Sequence, residues 1–264
     1  MDRKTLKVVA EFCGLALAVF FATLFATPAY AQAPEVKEKP PMYSYVSFWT
    51  IPRAQWGEME KSDMADQKIL EKALSSGTIV GYGHDSNLVH QSDGPTHDSW
   101  WSSTSMAGVL NILDEFHKAG TSTSPVLVSS TKHSDGIFVS RFYGWRSGSW
   151  KDAYTHGSSY KLKADAGDDA VEMLSKSMLV PLLEKLLADG TIIEYEIDVE
   201  AIHTVAPGTF WIFYLTPNAE GIDKSQAAVR AALKGNPMMG PTFGSMTETS
   251  GHRDYLSRTN ATYK

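Results

Sequence analysis

Apolar and polar positions along this chain follow two periods, and the switches between them mark its elements. Tyr43–Ile51 (YSYVSFWTI) is aromatic and β-branched and predicts a strand. Gln55–Leu74 predicts a helix, stopped by Gly77 soon after its last turn. Thr78–His90 reads as a strand or a bent strand, Gly94-Pro95 as a turn, and His97–Thr104 as the next strand. Met106, Val109, Leu110, Leu113 and Phe116 recur at helical spacing, with Gly120 as the stop. Val126–Val128 and Gly136–Tyr143 supply the remaining strand material. Farther on, Leu174, Met178, Leu182 and Leu186 mark a helix that Pro181 should start or kink, with Gly190 after it. Phe210–Leu215 predicts a strand, Ile222–Leu233 a helix and Gly235 its stop.

The same order of elements occurs twice, and so do the residues. Residues 71–108 laid on 184–221 without a gap give eleven identities in 38 positions, where chance would supply roughly two. Among them are Gly77/Gly190, Tyr82/Tyr195, Asp85/Asp198, His90/His203 and Gly108/Gly221. Each copy reads as strand, helix, strand, strand, helix, strand. The expected organisation is a first repeat over residues 43–143, a linker over 144–159 (GWRSGSWKDAYTHGSS) and a second repeat over 160–264.

This order, duplicated, resembles the ferredoxin-like unit of the dimeric α/β-barrel superfamily over about residues 43–260. The resemblance implies an α+β fold in which two ferredoxin-like βαββαβ repeats pack sheet to sheet, enclose a cavity and carry their helices outside. One chain would then build the barrel that other members build by dimerising. The superfamily includes cofactor-free monooxygenases, haem-using enzymes and binding proteins. No catalytic motif matches, so no activity is carried over by residue.

The N-terminus changes the picture of where the protein works. Arg3, Lys4 and Lys7 precede an apolar run from Phe12 to about Phe25, and Ala29-Tyr30-Ala31 offers a small-residue cleavage pattern. The apolar core is shorter than the roughly 20 residues of a spanning helix. A signal peptide over residues 1–31, a tether over 32–42 and export to a periplasmic or extracellular space are therefore expected, with no membrane association after cleavage. The mature chain would keep 233 residues and a net charge of −7. That charge, with no basic cluster, argues against a nucleic-acid partner. Cys13, the only cysteine, lies in the signal, so the mature chain has no disulfide and no thiolate ligand. There is no Gly-rich phosphate loop, GxSxG elbow or EF-hand loop.

Candidate chemistry comes from differences between the copies. The first has His84 and His97 where the second has Ile197 and Phe210, and its third strand is polar with Trp100 and Trp101. A strand polar on both faces suits the wall of a wet cavity, though an exposed edge would look the same. In the second copy (IIEYEIDVE), Ile193, Tyr195, Ile197 and Val199 should face the helices. Glu194, Glu196 and Asp198 then share the opposite face. Glu194 and Glu196 are candidate acid/base carboxylates if that face lines a barrel, or a solvated row if it does not. Gly81 and Gly83 stand at their positions in the first copy and leave room for something bulky. Tyr82 and Arg141 complete the candidate ligand set with the tryptophans. Asp85 and Asp198, matched between copies, read as turn or strand-end carboxylates, and His90 and His203 as strand terminators.

Three readings of function follow. The leading one is a small-molecule-binding protein or cofactor-free enzyme, oxygenase- or isomerase-like, with an aromatic ligand in the barrel. The second is a haem- or metal-dependent oxidoreductase using His84, His97 or His133 as ligand. The third is a non-catalytic envelope protein that binds partners and encloses no pocket. No cofactor is favoured, and no metal site is assigned.

Overall fold

The computed structural model describes residues 35–204 and 207–264. The expected signal peptide lies outside the described residues. Eight strands form: β1 Met42–Thr50, β2 Gly81–Asn87, β3 His97–Ser103, β4 Lys132–Trp145, β5 Gly148–Leu162, β6 Glu194–Ile202, β7 Thr209–Thr216 and β8 Thr247–Tyr263. They hydrogen-bond antiparallel in the order β1-β3-β2-β8-β5-β7-β6-β4, and β4 pairs back to β1. The helices α1 Trp56–Ser76, α2 Met106–Ala119, α3 Val180–Ala188, α4 Ala219–Gly235 and α5 Met239–Met246 surround this ring.

The expected fold class is overturned. The chain does not form two ferredoxin-like repeats packed sheet to sheet; it forms one closed eight-stranded barrel. The reason lies at the edges and inside. An isolated four-stranded half would expose β2 and β4, or β8 and β6, as rows of unpaired N–H and C=O groups. Pairing β2 with β8 and β4 with β6 removes all four edges. The inner faces also carry Asp85, Asp98, Glu194, Glu196 and Asp198, which could not interdigitate as a dry sandwich core.

Several local expectations are corrected as well. The 144–159 stretch is not a linker but the end of β4, a tight turn and most of β5. Its Trp, Tyr and Thr content suits the long ribbon that β5 makes with β8. Val126–Val128 lies in a helical turn, Pro125–Val128, because Pro125 supplies an N-terminal start. The described part of the tether is docked. Lys39 N–H donates to the Arg141 carbonyl at 2.8 Å, Tyr143 Oη donates to the Pro40 carbonyl at 2.9 Å, and Val36 packs on the second core. Pro181 opens α3, directly after a π-helical turn over Ser175–Leu179.

The repeated residues recur because the same local physics recurs. Gly77 and Gly190 follow the first helix of each half at φ 77° and 78°, where a Cβ would be strained. Ser105 Oγ accepts from Gly108 N–H at 3.1 Å, and Asn218 Oδ1 accepts from Gly221 N–H at 3.0 Å, so both second helices carry an N-cap. A Cβ on Gly108 would come within 2.8 Å of the Thr78 carbonyl, and one on Gly221 within 2.8 Å of the Thr191 carbonyl. These glycines let each helix lie against its strand.

Two outer cores fasten the helices. Tyr45, Tyr82 and Trp101 bury their rings against Leu70, Val109 and Phe116 of α1 and α2. Tyr45 stacks on Trp101 at 4.6 Å, and Trp101 Nε1 donates to the Val109 carbonyl at 3.0 Å. Opposite, Phe142, Tyr195 and Ile197 pack on Val180, Leu183 and Leu186 of α3.

If edge pairing holds the barrel, the halves should not stand alone. Residues 35–146 and 147–264, expressed separately, are expected to be insoluble or self-associated, and mixing them on refolding should recover a soluble 1:1 complex. Size-exclusion chromatography with circular dichroism checks this; two soluble, cooperatively folded monomers would contradict the joint barrel.

Candidate functional site

Strand alternation sends every second side chain into the barrel. The lumen encloses a cavity of about 710 Å³, a size suited to one small organic molecule. Tyr263, Trp100, Leu215 and Ile193, with Trp145 and Trp150, close one end. Thr50, Lys132, Asp93, Glu200 and Tyr255 lie around the other, where the cavity opens.

Ring–glycine pairs shape the walls. Trp100 faces Gly83 across the β2–β3 ladder, Tyr263 faces Gly81 across β2–β8, and Phe213 faces Gly157 across β5–β7. A Cβ on these glycines would lie 2.5 Å, 2.4 Å and 2.5 Å from the respective rings. Each ring therefore lies flat on a glycine backbone and leaves the lumen open. Any larger residue there would push the ring inward. Gly81 and Gly83 do leave room for something bulky, and Tyr263 and Trp100 fill it.

Carboxyl groups supply the polar part. On β6, Glu194, Glu196, Asp198 and Glu200 form a ladder from the closed end to the mouth, about 6.5–7 Å per step. Asp85 of β2 and Asp98 of β3 are direct cross-strand partners. Asp85 and Asp198 are thus not turn or strand-end groups. They stand on the inner wall because the alternation that buries Tyr82 and Tyr195 outward points their sequence neighbours in register inward. Asp98 keeps surface facing the lumen while protein encloses it on all sides, so its partial exposure is to the cavity. Ser44 ties part of the site together: its Oγ donates to Glu196 Oε2 at 3.1 Å and meets Ser102 Oγ at 2.7 Å. At the mouth, Thr204 caps Glu200 through its N–H at 3.0 Å and its Oγ1 at 2.5 Å.

Burial pushes the carboxyls of Asp85, Asp98, Glu194, Glu196 and Asp198 up. Asp98 and Glu196 rise to about 7, in each case chiefly through loss of solvent. Asp85 rises well above the usual range through burial and the nearby Asp98 charge, and Asp198 through burial and Glu196. Glu194 rises too, by burial and then the charges of Glu196, Asp198 and Asp85. The arrangement gives two coupled carboxyl pairs, Asp85–Asp98 and Glu196–Asp198, each holding a proton near neutrality.

The residues singled out from sequence divide cleanly. Glu194, Glu196 and Trp100 line the cavity. Trp101 and Tyr82 point away into the helix core. Arg141 is outside the barrel, its Nη1 3.0 Å from Glu38 Oε2. His84 also faces outward, with Nδ1 3.3 Å from Asp63 Oδ1 and 3.1 Å from Ser99 Oγ. Burial alone would lower the His84 pKa, but the Asp63 hydrogen bond and charge, with Asp66 and Asp98, raise it. His97 is buried against Thr96 and the edge of Trp56, and burial lowers its pKa. Neither histidine reaches the lumen. His90 and His203 lie in the segments that follow β2 and β6. The sequence reading missed Asp98, Trp211, Phe213, Phe138 and Tyr263 as cavity residues. The inward rows of β3 and β7 were written in their alternation, but both faces of those strands are aromatic and gave no sign of which looked in.

The haem reading does not fit these residues. Among the described residues, the one histidine bordering the cavity is His133 at its rim, stacked on Trp49 at 3.6 Å and bonded to Ser47 and Asp135. The interior carboxyls would also repel the propionates of a haem. Among the described residues, no three His, Cys, Asp or Glu side chains are grouped to hold a metal ion.

Comparison with solved structures places the fold. A "putative monooxygenase from Lactobacillus acidophilus NCFM" superposes with a TM-score of 0.64 at 10 % identity, over 85 % of this chain and 97 % of that one. A second, from Fusobacterium nucleatum subsp. nucleatum ATCC 25586, gives 0.61 at 7 % identity, over 86 % and 95 %. An "anthrone oxidase-like protein" gives 0.50 at 12 % identity, over 86 % and 93 %. These proteins belong to the dimeric α/β-barrel superfamily. The chain shares their fold. No protein-family model and no curated protein sequence matches it.

The raised carboxyl pKa values make stability depend on pH in a defined direction. Below about pH 4 these groups are largely protonated both folded and unfolded, so burying them carries no charge penalty. As pH rises from there to about 7, the unfolded chain releases protons that folded Asp98 and Glu196 still hold, and stability falls. Each pH unit in that window costs up to about 1.4 kcal/mol per group. The melting temperature should therefore be higher at pH 5 than at pH 8, and Glu196→Gln should narrow the gap. Thermal melts followed by circular dichroism check it; a flat or rising profile from pH 5 to 8 would count against buried, uncompensated carboxyls.

Proposed function

We propose that this chain binds a small organic molecule inside the barrel and acts on it as a cofactor-free, oxygenase- or isomerase-like catalyst. The observation that carries this reading is a lumen of about 710 Å³ that combines aromatic walls with paired carboxyls poised near neutrality. Trp100, Trp211, Phe213 and Phe138 would sandwich an apolar body and keep water away from it. Glu196, steadied by Ser44, is placed to take a proton from the ligand, and Asp198 beside it already holds one to give. Asp85 and Asp98 offer the same chemistry from another wall. Such general acid–base pairs work best with a pKa near the operating pH. The fold likeness to monooxygenases supports the cavity, not the substrate. Export belongs to the proposal too, on the charged, apolar and small-residue pattern of residues 1–31, and N-terminal sequencing of the processed protein tests it.

A ligand present at a hundred times its dissociation constant stabilises a folded protein by about 2.7 kcal/mol, or roughly 5–10 °C for a chain of this size. Thermal scanning against aromatic compounds should give shifts of that order for some members. Val46→Trp, which fills the lumen from β1, should abolish them with the circular dichroism spectrum unchanged. If no compound shifts the wild type, or if the shifts survive Val46→Trp, the lumen is not the site. Haem should not bind.

A further inference from the structure

We propose that the ligand of the lumen carries a protonated amine attached to an aromatic or apolar body. This rests on the barrel being a ligand site and adds the charge of the molecule it takes. In the ring of eight strands, β2 and β6 stand four apart, so Asp85 faces the β6 ladder across the lumen. Asp85, Glu194 and Asp198 are each more than nine-tenths buried. Each presents one carboxyl oxygen without a partner among the described residues: Asp85 Oδ1, Glu194 Oε1 and Asp198 Oδ1. A buried oxygen left so costs about 1–3 kcal/mol, more if charged.

The protein does not supply the missing charge. Among the described residues, the only basic side chains bordering the cavity are Lys132 and His133, both at the open rim. An anionic ligand would meet carboxyls from both walls and gain no cation. A neutral acceptor could use only the protonated carboxyls and would leave the charged ones unmatched. An ammonium group is a donor-only cation, so it can satisfy a carboxyl oxygen that the protein leaves unpaired, and it restores the ionised forms that burial opposes. The rings of Trp211 and Phe213, cross-strand partners of Asp198 and Glu196, give a cation further attraction through their faces. The rest of the ligand meets the same aromatic walls, which sets its apolar character.

Three probes of one size and different charge test this on the full chain: 2-phenylethylamine, 2-phenylethanol and phenylacetate, titrated at pH 7 by calorimetry and tryptophan fluorescence. The amine should bind at least tenfold more tightly than the alcohol, and the acid should not bind. Glu194→Gln and Asp85→Asn, on opposite walls, should each weaken the amine roughly tenfold or more and leave the alcohol within about twofold. Where one of these variants fails to fold, Asp198→Asn takes its place. Equal or tighter binding of the alcohol or the acid would overturn the charge assignment and leave the lumen a ligand site. So would amine binding insensitive to all three substitutions, or a response to calcium chloride alone. Silence from all three probes overturns the inference, and the Val46→Trp comparison then decides separately whether the lumen binds anything.

Discussion

The rest of the structure depends on the absence of a free strand edge. Every strand has a partner on both sides, and the two seams, β2–β8 and β4–β6, are what turn two open sheets into a ring. Closure satisfies the backbone without any help from the interior. The interior is thereby released from the task of holding the sheets together, which in a sandwich would fall to interdigitated apolar side chains. Stability comes instead from the outer cores, where Tyr45, Tyr82 and Trp101 on one side and Phe142, Tyr195 and Ile197 on the other seat the helices. That division of labour is why the lumen can hold five inner carboxyls at all.

Those carboxyls are nonetheless costly. Taking an ionised group out of water is opposed by several kcal/mol, and proteins answer by pairing it, neutralising it or keeping it for a ligand. Here the first answer is missing, since among the described residues Lys132 at the rim is the one lysine or arginine bordering the cavity. The second is partly used, because Asp85–Asp98 and Glu196–Asp198 each retain a proton. The mouth differs in kind: there Thr204 caps Glu200 through both its N–H and its Oγ1. A polarity gradient thus runs along β6, from a satisfied rim to an unsatisfied floor.

Much of the outer architecture was legible in the sequence, for a physical reason. Side chains that pack on helices obey strict periodicities, and the paired glycines, caps and tyrosines repeat because both halves solve the same problem. The alternation in β6 separated Tyr195 and Ile197 from Glu194 and Glu196 correctly. Sequence could not show that the sheets would join by their edges, because pairing between β2 and β8 or β4 and β6 leaves no local signature. The same blindness made residues 144–159 look like a linker, when their polar spacing belongs to a strand with one wet face. It also drew attention to His84, which looked like chemistry and proved to be a partner for Asp63. Asp85 reads as structural from sequence because both copies share it; in a barrel with near two-fold order, shared positions also meet across the axis.

The two seams lie within one polypeptide, and this has a consequence for divergence. A barrel assembled from two identical chains must present each wall twice, so any residue placed opposite another is also placed opposite its own copy. Here the covalent connection keeps each half at an effective concentration in the millimolar range or above, whatever the dilution of the protein. The halves need no mutual affinity to find each other and no identity to fit. One wall has kept Gly81 and Gly83 beneath Tyr263 and Trp100, while its counterpart has Glu194 and Glu196 at the same heights. The molecule has traded symmetry for handedness: at matched positions one wall carries glycines covered by rings and the other carries carboxyls.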